Sequence, residues 1–186
     1  MDDKQIVDLF WKRSEDAIKE TSKKYGRYCH SIANRILNNE EDAKECVNDT
    51  YLKAWESIPP KRPEMLSVYL GKITRNLALN RWEYYDAKKR GGGQISVILD
   101  ELQECIPATN HTESIVDQLH LTEALNRFLA ALPTEKRKIF VRRYWYMSSI
   151  KEIAKDYHMS ESKVKMSLLR LRKECQEFLE KEGITI

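Results

Sequence analysis

The sequence predicts an all-α protein made of two small helical domains joined by a flexible linker, and three observations carry that expectation. Apolar residues recur every three or four positions along most of the 186 residues, and no strand-like alternation persists. The run Gly91, Gly92, Gly93 removes helical preference in mid-chain, and a mixed acidic stretch with Pro107 and Asn110 follows it. Residues 148 to 173, SSIKEIAKDYHMSESKVKMSLLRLRK, read as two short helices around a tight turn. The expected organisation is a first domain at 1–90, a linker at 91–112 and a second domain at 113–186.

In the first domain, Ile6, Leu9, Phe10, Arg13 and Ala17 fall at helical spacing between Lys4 and Lys19. A second helix from Ser22 to Leu37 places Tyr25, Cys29, Ile32 and Ile36 on one stripe. Asn39 is suited to cap a third, whose first turn holds Glu40, Glu41 and Asp42, where the helix dipole favours negative charge. Its inner face is Ala43, Cys46, Val47, Thr50, Tyr51 and Ala54, and Pro59 and Pro60 end it. After the basic loop PPKRPEM, a fourth helix buries Leu66, Leu70, Ile73 and Leu77 and runs toward Lys89. Within the linker, ISVILDEL is apolar enough to pack against a domain or a partner.

In the second domain, Ile115, Leu119, Leu121, Leu125, Phe128 and Leu132 line a helix that Pro133 breaks. Thr134 is placed to cap the next, which carries Ile139, Phe140 and Tyr144. Ser149 and Glu152 then form a capping box, with Ile150, Ile153 and Ala154 facing inward. The apolar spacing breaks at Tyr157, His158 and Met159, and Ser160 caps a last helix whose inner face is Val164, Leu168, Leu171 and Cys175. Its outer face holds Ser162, Lys163, Lys165, Met166, Leu169, Arg170 and Lys173, groups able to reach phosphates and base edges from a major-groove helix. A solvated amphipathic helix would share that pattern.

A third of the residues are charged, yet the net charge is only +3, so a nucleic-acid surface must be local. Basic residues gather at Arg81, Lys88, Lys89 and Arg90, at Lys163 to Lys173, and at Lys136, Arg137, Lys138, Arg142 and Arg143. The start MDDKQIVDLFWKR has no signal or transit pattern, and no apolar run approaches spanning length, which points to a cytoplasmic chain without direct membrane insertion. Cys29, Cys46, Cys105 and Cys175 lack ligand spacing and the four histidines do not complete a set, so no metal or other cofactor is expected, and the thiols should be reduced and mostly buried. No nucleophile and base set or phosphate-binding glycine loop stands out, so the chain is not expected to be an enzyme.

With a glycine-containing linker between two helical modules and a C-terminal helix-turn-helix, the chain resembles the small sigma factors of bacterial RNA polymerase, the extracytoplasmic-function type of the sigma-70 family. EDAKECVNDTYLKAWESI is similar to region 2.2, SVYLGKITRNLALNRWEYYDAKKR to regions 2.3 and 2.4, and the stretch from ALNRFLAALP through RLRKECQEFL to region 4. The resemblance implies a protein that binds core polymerase, directs it to promoters and helps to melt them. It places the minus 35 element on the last helix, with Lys165, Met166, Leu169 and Arg170 toward bases and Ser160, Ser162, Lys163 and Lys173 nearer phosphates. Arg170 suits a bidentate bond to guanine, while Met166 and Leu169 offer apolar contact, for instance to a thymine methyl.

It places the minus 10 element on Lys61, Arg62, Asn76, Asn80, Arg81, Tyr84 and Lys88, with Trp82 and Tyr85 beside them; the aromatics equally suit a core role. The polymerase face would be Asp42, Glu45, Asn48, Asp49, Leu52 and Glu56, meeting a coiled coil of the largest subunit, although an acidic helix face can also be merely solvated. An anti-sigma partner, which restrains many members of this family, is a further candidate. The chain departs from the family at His158, where glycine is common and a left-handed backbone is expected, at Met166, where a small polar residue is common, and at Tyr69 and Asn80. The competing reading is a helix-turn-helix regulator that works without polymerase.

Overall fold

The computed structural model describes residues 1–86, 94–106 and 115–184, and every regular element among them is helical. The all-α expectation therefore holds. The chain divides into two compact units, Met1–Gly91 and Gly92–Ile186. Gly91 to Gly93, Pro107, Asn110 and Lys88 lie outside the described residues.

In the first unit, α1 (Asp3–Trp11), α2 (Asp16–Leu37), α3 (Glu40–Ser57) and α4 (Leu66–Asp86) close around one core. Ile6, Val7 and Phe10 of α1 meet Ala17 and Cys29 of α2, Val47, Tyr51 and Ala54 of α3, and Leu66 and Leu70 of α4. Ile6 and Phe10 are fully enclosed, which contributes roughly 1.5–3 kcal/mol each. Gly71 lets α2 and α4 approach closely, since a Cβ there would lie 2.5 Å from the Tyr28 hydroxyl. Between α3 and α4 the buried hydroxyls of Thr50 and Thr74 stand 3.1 Å apart, each 2.8 Å from the carbonyl four residues earlier. Two protons thus serve three acceptors, and the pair fixes the register of the two helices.

The first helix break falls at residues 12 to 15 rather than between Lys19 and Ser22. Arg13 adopts φ 54°, while the N–H groups of Arg13 and Ser14 bond the carbonyls of Phe10 and Leu9. That is the bonding of a Schellman ending, here without glycine. The Arg13 side chain leaves the stripe expected of it: Nη1 donates to the Trp55 carbonyl at 2.6 Å, and the guanidinium lies 5.3 Å from the Trp55 ring centroid. On α4 Leu66, Leu70, Thr74 and Ala78 are fully buried, while Ile73 and Leu77 are only half-buried.

Asp3 ties three helices together. One carboxylate oxygen accepts from Lys24 Nζ at 2.7 Å and from the Tyr25 hydroxyl, and the other accepts from the Leu66 N–H at 3.1 Å, capping α4 from a distant segment. Burial pushes the Asp3 pKa up, but the bonds from Lys24 and Tyr25 outweigh it and hold the group below its usual 3.8. A carboxylate depressed in the folded state stabilises fully above its unfolded pKa and ceases to do so as pH falls through the folded one. Asp3→Asn should therefore melt below wild type at pH 7, and thermal melts should show the gap closing as the pH drops below 3.8.

In the second unit, α5 (Gln94–Gln103), α6 (Ile115–Ala131), α7 (Thr134–Tyr144), α8 (Ile150–Asp156) and α9 (Glu161–Lys181) surround an aromatic cluster. Phe128 stacks edge-on to Phe140 at 5.8 Å and against Phe178 at 5.7 Å, and Phe140 meets Tyr144 at 4.7 Å. Pro133, not Thr134, occupies the N-cap of α7, and no side chain caps that helix. All four cysteines are free thiols and buried.

Within the stretch read as a linker, α5 packs on this unit by Ile95 and Ile98. A charged clamp holds it there. Arg143, 3% exposed, donates to both oxygens of Glu101 at 2.9 and 2.8 Å and to the Ser148 carbonyl at 3.1 Å. Arg172 donates to Glu104 at 3.0 Å and to the Tyr144 hydroxyl at 3.1 Å. Three of the five residues of the third basic cluster are thus paired within the unit, one of them buried: Arg143 is used by Glu101, Arg142 pairs with Asp156, and Lys136 with Glu174. Glu101→Ala would leave Arg143 buried without its carboxylate, and denaturant unfolding should register a loss of about 3 kcal/mol from the second unit.

Candidate nucleic-acid and partner interfaces

The turn between α8 and α9 is set by local chemistry. Ser149 accepts from the Glu152 N–H at 3.1 Å, and Glu152 returns the bond to the Ser149 N–H at 2.7 Å. At the other end of α8 the N–H groups of His158 and Met159 bond the carbonyls of Lys155 and Ala154, with His158 at φ 51°. His158 thus takes the left-handed conformation expected of it, in the place where a Schellman ending favours glycine. Ser160 then caps α9, its oxygen accepting from the Lys163 N–H at 3.2 Å. Its own proton stays available for a phosphate oxygen.

On α9, Val164, Leu168, Leu171, Cys175 and Leu179 are buried, as the apolar spacing requires. Ser160, Ser162, Lys163, Lys165, Met166, Leu169, Arg170 and Lys173 are all exposed, so the structure brings the whole expected set to one outer surface. Met166 and Leu169 stand 49% and 51% exposed among these polar and basic groups. Among the described residues, Lys163, Lys165, Arg170 and Lys173 take part in no ion pair. The ridge offers uncommitted positive charge around two apolar contacts, the composition of a major-groove reader.

The first unit presents two neighbouring faces. On α3, Asn39 accepts from the Glu41 and Asp42 N–H groups at 3.0 and 3.1 Å, starting the helix where expected. Ala43, Cys46, Val47, Thr50, Tyr51 and Ala54 are buried, which leaves Asp42, Glu45, Asn48, Asp49, Leu52 and Glu56 on the outer side. Leu52 is 53% exposed amid these polar groups. Glu56 pairs with Lys53 at 3.0 Å.

The α4 set is divided. Asn76, Asn80 and Tyr84 form an exposed ridge at successive turns, with Trp82 half-buried beside it. Tyr84 and Tyr85 lie 5.7 Å apart with tilted rings. Lys61 is exposed, whereas Arg62 is drawn to α1, pairing with Asp8 and lying 5.4 Å from the Trp11 ring centroid. Arg81 and Tyr85 turn toward α3. Arg81 bonds Glu45 at 2.8 Å and Asp49 at 3.4 Å, and the Tyr85 hydroxyl donates to Asp42 at 3.3 Å. Burial opposes charge on Arg81, but Glu45 and Asp49 overcome it and raise its pKa. Spacing on α4 alone gave no sign of these cross-helix bonds.

Comparison with known proteins matches residues 22–87 to Sigma-70 region 2 and residues 122–175 to Sigma-70, region 4. The chain belongs to the sigma-70 family. Its region 2 runs from within α2 through α4, and its region 4 from within α6 through most of α9. The chain is 25% identical over 155 residues to ECF RNA polymerase sigma factor SigE of Mycolicibacterium smegmatis, covering 83% of this chain and 58% of that relative. It thus spans little more than half of the relative's length. A solved structure of CnrH in complex with the cytosolic domain of CnrY aligns at 17% identity and a TM-score of 0.43, over 96% of this chain and 97% of that one.

Proposed function

We propose that this chain is a sigma factor of the extracytoplasmic-function type, which binds core RNA polymerase and directs it to promoters. The observation that carries the reading is the occurrence of regions 2 and 4, in that order, on one chain, each with a polar face left outside its core. The outer face of α9 reads the minus 35 element: Arg170 takes a guanine edge, Met166 and Leu169 take apolar base contacts with Lys165 beside them, and Ser160, Ser162, Lys163 and Lys173 hold phosphates. The ridge of Asn76, Asn80 and Tyr84, with Lys61, Arg62, Trp82, Tyr85 and Lys88, serves the separated strand of the minus 10 element, where amides and flat rings meet unstacked bases. Leu52, within Asp42, Glu45, Asn48, Asp49 and Glu56, meets the coiled coil of the largest polymerase subunit.

Each unit on its own makes a modest contact, and joining them in one chain raises the effective concentration of the second once the first is bound. The work is binding rather than catalysis, in the bacterial cytoplasm, where polymerase and promoter are found. An anti-sigma partner would hold the chain inactive by covering these faces. Among the described residues no helix is long and apolar enough to cross a membrane. A regulator independent of polymerase would have no use for a region 2, which makes it the weaker alternative.

Two substitutions separate the roles. Leu52→Arg, at an exposed position outside the ion pairs of α3, should abolish co-purification with bacterial core polymerase while leaving the intrinsic DNA binding of region 4 unchanged. Arg170→Ala should keep polymerase binding and lose roughly 1–3 kcal/mol of base discrimination in promoter competition assays. Equal losses from both variants in both assays would defeat this division of labour.

A further inference from the structure

The second unit holds two cysteines from distant parts of the chain against each other. Cys105, just past the end of α5, is 1% exposed, and Cys175, on α9, is fully enclosed. The bond from Arg172 to Glu104 at 3.0 Å closes α5 onto α9 at the same place, since Glu104 adjoins Cys105 and Arg172 lies one turn before Cys175. The Cys105 thiol donates to the Leu102 carbonyl at 3.4 Å, and its sulfur accepts from the Cys175 thiol. The bond from Cys175 holds Cys105 below the usual thiol value of 9.0 against the opposing effect of burial, with the Arg172 guanidinium adding to it, and the same bond pushes Cys175 up. Cys29 and Cys46 of the first unit differ: burial pushes both up, Cys46 to about 11, so they stay protonated and unreactive. Only the pair in the second unit combines an attacking thiolate with a neighbour able to resolve it.

We infer that Cys105 and Cys175 form a redox modification site, at which hydrogen peroxide closes a disulfide that staples α5 to α9; the chemistry is independent of the sigma reading. The Cys105 thiolate attacks one peroxide oxygen, the O–O bond breaks, and the other oxygen departs as hydroxide and is protonated to water, leaving a sulfenic acid on Cys105. The Cys175 sulfur then attacks the Cys105 sulfur. The S–O bond breaks as the S–S bond forms, and the hydroxyl leaves with the Cys175 proton as a second water. Two thiols lose two electrons and the peroxide gains them. Because both sulfurs are enclosed, attack waits for the end of α5 to lift, an opening resisted by the bonds of Arg143 to Glu101 and of Arg172 to Glu104. The disulfide then abolishes that opening. The chain joining the two units is thereby limited to residues 87–93, which reach at most about 25 Å. With α5 lifted, the join runs to residue 114.

The test treats the purified full chain with hydrogen peroxide, alkylates the remaining thiols in denaturant and maps non-reduced peptides by mass spectrometry. Wild type should yield a Cys105–Cys175 cystine, lighter by two hydrogens and reversed by dithiothreitol, with Cys29 and Cys46 recovered as alkylated thiols. Oxidation should also raise the melting temperature by several degrees and slow hydrogen exchange of the α5 amides. Glu104→Gln, at an exposed position, should speed closure about two- to fivefold, because it loosens the clamp and removes a charge that opposes the Cys105 thiolate. Cys105→Ala should show neither the cystine nor the slowed exchange. A stable sulfinic acid on Cys105 without cystine, a bridge made through Cys29 or Cys46 or between chains, or a Cys105–Cys175 bridge that leaves α5 exchange unchanged would overturn the inference.

Discussion

Region 2 depends on the packing of α3 from two sides at once. Its inner residues are closed off by α1, α2 and α4, and the Thr50 and Thr74 hydroxyls fix how α4 lies along it. Rotating α3 would drive Thr50 and Cys46 toward solvent and bring carboxylates into the core, a change opposed by both apolar burial and charge desolvation. The direction of the acidic residues is consequently a by-product of core packing. Arg81 and Tyr85 then divide those acids between an internal network and open solvent.

The second unit obtains its outer ridge differently. Hydrogen bonds close both ends of α8 and the start of α9, so the turn between the helices follows from short-range contacts. The buried Arg143 gives the body beneath them a fixed polar interior, because its bonds to Glu101 and Ser148 constrain α5 and the segment before α8 together. A buried charge that loses its partner is costly, so this network opposes separation of α5 from the segment before α8.

Most of the architecture was legible because it rests on local signals. The caps at Asn39, Ser149 and Ser160, the proline stop after α3 and the apolar stripe of α9 are all short-range, and each appears where its spacing places it. The left-handed His158 was legible through the resemblance, because glycine commonly stands at that place in the family's turn. The break at Arg13 was not, since its backbone takes a conformation usually marked by glycine and no glycine is present. The docking of α5 was equally hidden: Glu101 and Arg143 are far apart in sequence, and a basic cluster looks the same whether its charges point outward or into a carboxylate. On the candidate faces, position along a helix identified the exposed residues. It could not reveal that Arg62 and Arg81 are already bound by acids of other helices.

The match to region 2 begins at residue 22, yet the unit that folds does not. Ile6, Val7 and Phe10 of α1 lie at the centre of the core, and Asp3 satisfies the first N–H of α4. A chain cut at the family boundary would expose an apolar trough where α1 had been and leave the start of α4 uncapped. Inheritance and folding thus draw their borders in different places here. The segment outside the shared family pattern determines whether the shared part holds its shape.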